Sequence, residues 1–111
     1  MQNTLAQGYE HLRRSILETA GDTQVDLRAE VEARAASLSG REGAADPQAG
    51  PLGIYLDKLA QQAYRLVDAD VERLLEAGYS QDAIFELTLA AALGAAAGRF
   101  ECATDALAEL S

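Results

Sequence analysis

Few side chains in this chain are suited to chemistry, and their types narrow the choices. There is one cysteine, Cys102, and one histidine, His11. A single cysteine makes neither an internal disulfide nor a CxxC pair, and one histidine without a second is a poor start for a metal site. Cys102 continues the helical stripe Ile84, Leu87, Ala91, Ala95, Gly98, so it is expected in the core as a small hydrophobe. Glu101 beside it would raise a thiol pKa, not lower it. His11, next to Arg13 and Arg14, reads as a solvated surface residue. Asp68-Ala-Asp-Val-Glu72 has the acidic spacing of a calcium loop, but Arg73 stands where the loop needs glycine. Those acids are expected instead to cap and charge a helix N-terminus. No metal and no cofactor is expected. Neither a P-loop, a dinucleotide fingerprint nor a Ser-His-Asp order occurs.

Glu86 is the most suggestive charge, because it interrupts AIFELTLAAALGAAAG, residues 83–98. A carboxylate in so apolar a run needs a partner, or its pKa rises. Arg99, Arg65 and Tyr64 are the partners the sequence offers. Two readings stay open. Glu86 faces outward or sits in an ion pair, or it is a proton-handling acid in a pocket, with Arg99 holding a substrate carboxylate.

The elements that would carry these residues are helical. The chain has 111 residues, 49% of them apolar and only 5% aromatic, so aliphatic side chains and alanine must build the core. No alternating β-branched run occurs, and an all-α single domain spanning 1–111 follows. A first helix is expected from an Asn3 or Thr4 cap to about Ala20, with Leu5, Tyr9, Leu12, Ile16 and Ala20 as its stripe. A second covers Asp26 to Ser39 with Leu27, Val31, Ala35 and Leu38 inward, and Arg28/Glu32 and Glu30/Arg34 lacing the solvent face. Residues 40–53 hold four glycines and both prolines, and read as a flexible connecting loop. A third helix is expected over Ile54–Leu66 and a fourth over Ala69–Ala77, closed by Gly78. A fifth, capped by Ser80, runs through the apolar stretch to about Leu110. A helix apolar on nearly every face must be buried, in a core or between subunits. Ala90, Gly94 and Gly98 lie four apart on one line of it. Glycine inside a helix costs about 1 kcal/mol, so this line predicts a tight helix–helix seam, within the domain or across a subunit boundary.

Net charge is −9, which argues against nucleic acid and anionic membrane surfaces. The start has no basic and apolar leader, and the 83–98 run is too short and carries Glu86, so a cytoplasmic protein without a membrane span is expected.

The run from Asp68 to Leu107, DADVERLLEAGYSQDAIFELTLAAALGAAAGRFECATDAL, resembles the C-terminal part of the AhpD-like superfamily, which includes alkylhydroperoxidase D and carboxymuconolactone decarboxylases. Asp70-Val71, Ala77-Gly78-Tyr79-Ser80, Ile84 and Arg99 stand in the family's places, and Gly98 replaces its Asn. The likeness covers roughly residues 55–110. It implies an AhpD-like helical domain with a long buried C-terminal helix, assembled as a dimer, trimer or hexamer. The family's peroxidase branch works through a CxxC pair with a nearby His and Glu. This chain has no CxxC and no His after His11, so dithiol peroxidase activity is not expected. The resemblance then implies a non-peroxidatic relative, an oligomeric structural or interaction subunit with a companion protein as one partner. The alternative is a decarboxylase or isomerase acting on a small organic acid in an apolar pocket, with Glu86, Arg99 and Tyr64 as its candidate catalytic residues.

Overall fold

The computed structural model describes the backbone of residues 3–110 and the side chains of residues 7–110. The expected caps Asn3 and Thr4, and Leu5 of the first stripe, lie outside the described side chains. Five α-helices follow in order: α1 Asn3–Leu17, α2 Val25–Leu38, α3 Gly50–Gln62, α4 Asp68–Glu76 and α5 Gln81–Glu109. A single 3-10 turn, Ala63–Arg65, follows α3, and the described residues contain no strand. The fold is all-α, as the composition requires.

Helix α5 is the element on which the others assemble. The Ser80 hydroxyl accepts the Ala83 N–H at 3.0 Å and starts it. It packs chiefly along α2, with α3, α1 and α4 against its remaining inner surface. The glycine line explains how closely α2 approaches. A Cβ on Gly94 would stand 2.9 Å from the Glu32 carbonyl carbon, and one on Gly98 would stand 3.0 Å from that of Ala36. The seam therefore lies inside the domain, between α5 and α2. Leu74, Leu87, Val31, Leu17, Leu52 and Leu56 fill the remaining core. Gly78, with φ +103°, turns the chain from α4 into α5 in a conformation that other residues resist.

Four expectations change. Helix α1 ends at Leu17 rather than Ala20, and Leu17 is buried while Leu12 is half exposed. On α2, Arg28 and Glu32 do not lace a solvent face: both are 2% exposed. The helix is sandwiched, with α5 on one side and α1 and the following loop on the other, so these two charges lie inside while Asp26 and Glu30 stay exposed. Residues 50–53 are not loop but the first turn of α3, where Pro51 fits because that turn's N–H groups need no helical acceptor. The remaining loop is anchored: Arg34 donates to the Ala45 carbonyl at 3.0 Å, and the Arg41 N–H to that of Ala36 at 2.9 Å.

The fourth concerns α5 itself. Its buried residues all fall between Ala83 and Gly98, on one side. From Arg99 onward the helix is exposed apart from a half-buried Glu101, because α2 has already ended at Leu38. Cys102 lies in this part and is exposed, not in the core.

Candidate functional site

Glu86 sits on the flank of α5 and holds the connection between α1 and α2. Its carboxylate accepts the Asp22 N–H at 2.7 Å, the Thr23 N–H at 2.9 Å and the Thr23 hydroxyl at 2.7 Å. Gly21 leaves room for it: a Cβ there would stand 2.5 Å from Glu86 Oε2 and displace the carboxylate from its donors. Burial pushes the Glu86 carboxyl up. The hydrogen bonds from Asp22 and Thr23, with Arg28 nearby, outweigh it and hold the carboxyl below the usual glutamate value. A group held ionised by donors already in place is a clamp, not a proton donor poised near neutrality.

The other two candidates lie elsewhere. Arg99 donates to the Ala60 carbonyl at 2.9 Å, near the end of α3. It is thirteen positions beyond Glu86 on the same helix, roughly 20 Å along the axis. Tyr64 is 84% exposed on the 3-10 turn. The three residues are not brought together.

Sequence reasoning missed two ionic clusters. In the first, Arg41 from the loop after α2 is held between two carboxylates. It donates to Glu32 Oε1 at 3.1 Å and Oε2 at 3.2 Å, and to Glu101 Oε2 at 2.8 Å. Hydrogen bonding to Arg41 pulls the Glu101 carboxyl below its usual value. Bonding to Glu101 and Glu32 raises the guanidinium pKa further above its already high value, although burial opposes it. Tyr9 from α1 closes over the group. Burial, then Glu32, raises its phenol pKa, and its hydroxyl has no hydrogen-bond partner among the described residues. In the second cluster Asp70, 5% exposed, accepts from the Val67 N–H at 2.9 Å, Lys58 Nζ at 2.9 Å and Arg73 Nη1 at 3.1 Å. The Val67 N–H and Lys58 lower its pKa most. Asp70 is thus half of a capping box whose first residue, a valine, has no side-chain acceptor. Both clusters tie elements together, and each centres on one charge shared between two opposite ones: Arg41 between Glu32 and Glu101, and Asp70 between Lys58 and Arg73.

A shallow depression of about 140 Å³, lined by Pro51, Ile54, Tyr55, Asp70 and Arg73, lies beside the second cluster. That is below the about 300–1,000 Å³ of an ordinary ligand pocket. No group of three or more His, Cys, Asp or Glu is placed to hold a metal among the described residues. His11 is exposed on α1.

What stands out is a surface. On α5, Phe85, Leu89, Ala92, Ala96, Phe100 and Ala103 succeed one another at steps of four and three, and all six are exposed. Phe85 is 63% and Phe100 71% exposed. At 3.6 residues per turn they occupy one arc opposite the α2 seam. Arg99 borders this arc but turns its guanidinium to α3. The helix is long and apolar enough, by length and composition alone, to cross a membrane, and 56% of its most apolar window is buried in the domain. No family model matches the chain, and no match was found among curated proteins or solved structures.

Proposed function

We propose that this chain is a non-peroxidatic AhpD-like protein that works as an oligomeric structural or interaction subunit, docking through the outer face of α5. The observation that carries this reading is the apolar arc from Phe85 to Ala103. Large apolar residues set at helical spacing on a solvent face mark a protein-contact surface more than chance exposure. The AhpD-like assignment rests on the Asp68–Leu107 sequence run, and the missing CxxC argues for a role without dithiol chemistry. A decarboxylase or isomerase would need Glu86, Arg99 and Tyr64 around one pocket, and their separation weighs against it.

Sedimentation velocity over a wide concentration range tests the proposal. An assembly larger than the 11.8 kDa chain is expected, reverting toward the monomer in Phe85→Ser/Phe100→Ser with helicity unchanged. A wild-type monomer at every concentration, with no binding through α5, would refute it.

A further inference from the structure

We infer that the α5 outer face is covered by a second copy of this chain, laid antiparallel about a two-fold axis between positions 92 and 93. This rests on the interaction-subunit reading and adds the partner and its direction.

Three observations carry it. The first is the order of large and small residues along the arc. Reversing the helix about that midpoint sets Phe85 against Phe100 of the second copy and Leu89 against Ala96. Aromatic then meets aromatic and large meets small, the pattern that lets two helices interlock. A parallel pair in register would put phenylalanine on phenylalanine at both ends and alanine on alanine at two layers between them. That arrangement leaves two alanine layers next to each other, where the antiparallel pair has one, at Ala92 on the axis.

The second is charge. Glu101, Asp105 and Glu109 follow Arg99, and no Lys or Arg comes after it. A parallel pair would bring two such acidic ends together. The antiparallel pair separates them and sends each over the N-terminal end of the other α5, where the positive end of the helix dipole offsets the single first-turn acid Asp82.

The third is area. Aromatic side chains carry about 150–250 Å² each, so Phe85 and Phe100 together expose roughly 200–330 Å², and Leu89 with the three alanines brings the arc to roughly 500 Å² per copy. A pair would bury on the order of 1,000 Å², about the smallest area expected of a specific interface.

Oxidative cross-linking of the full chain tests this. Two single-cysteine variants are made in a Cys102→Ser background, Ala92→Cys and Ala103→Cys, both at exposed positions of the arc. In the antiparallel pair the two copies of residue 92 meet near the axis. The two copies of residue 103 lie about 30 Å apart along it. Ala92→Cys is therefore expected to form a disulfide dimer at least about tenfold faster than Ala103→Cys. Circular dichroism confirms that both variants fold. Equal rates would mean a parallel pair, and cross-linking at neither position would mean no pairing on this face. Either result overturns the inference, and if sedimentation still reports an assembly, the oligomeric reading survives without it. Flotation of a monomeric chain with phosphatidylcholine vesicles would assign the face to lipid and overturn both.

Discussion

The two sides of α5 have similar composition and opposite surroundings. The inner side carries Ala83, Leu87, Ala90, Ala91, Gly94 and Gly98, and α2 approaches so closely that two positions admit no Cβ. The outer side carries Phe85, Leu89, Ala92, Ala96 and Phe100, and none of the described residues covers it. Hydrophobicity alone does not separate the sides, but residue size does. The inner side is small where a backbone must pass, whereas the outer side presents large side chains between alanines. Small residues mark a contact completed by folding, and exposed large ones mark a contact completed afterwards.

The sharpest way to break this contrast is to enlarge one residue on each side. Gly94→Leu is expected to cost about 3 kcal/mol or more in urea denaturation, because the new side chain meets the α2 backbone. Ala96→Leu on the outer side should change stability by no more than about 0.5 kcal/mol. Equal costs would abolish the distinction.

Arg41→Met comes next. It strands Glu32, which is 2% exposed, and is expected to cost about 3 kcal/mol. The double variant Glu32→Met/Arg41→Met should cost less than Arg41→Met, because no buried charge is left unmatched and only the half-buried Glu101 loses its partner. Glu86→Ala removes three accepted hydrogen bonds and should cost about 1–3 kcal/mol, and limited proteolysis should then cut near Gly21–Thr23.

The pH dependence follows from the same carboxylates. Glu86 and Glu101 have folded pKa values below their usual 4.5, so the stability they contribute is present above that value. It is lost as pH falls through the lowered folded values. Thermal unfolding should therefore be insensitive to these groups near neutrality and fall at pH below 4.5, less steeply in Glu86→Gln. The smallest effect on folding is expected from Phe85→Ser/Phe100→Ser. Its monomer stability should shift by no more than about 0.5 kcal/mol while its self-association is lost.

Much of the fold was legible, because helix punctuation and size patterning are local. Ser80 capping α5, Gly78 ending α4 and the Ala90/Gly94/Gly98 seam each follow from residue type at a fixed offset. Sequence did not reveal which side of α2 is wet. The Arg28/Glu32 spacing suits a solvated pair equally well, but Arg28 donates to the Ile16 carbonyl at 2.7 Å and Glu32 binds Arg41. The same spacing serves both cases because periodicity reports phase, not the number of neighbours. Glu86 was recognisable as a charge needing partners. Its partners are backbone N–H groups sixty-odd positions away, which no residue-type argument finds. Cys102 was misplaced because its stripe continues past the point where α2 stops, and where a helix loses its cover depends on the neighbour's length.

Amide hydrogen exchange along α5, followed as protein concentration rises, tests most directly whether its outer face is a contact surface. If a second copy covers that face, protection of residues 100–109 should climb with concentration toward that of 87–98. Fast exchange of 100–109 at every concentration, beside a protected 87–98, would contradict it.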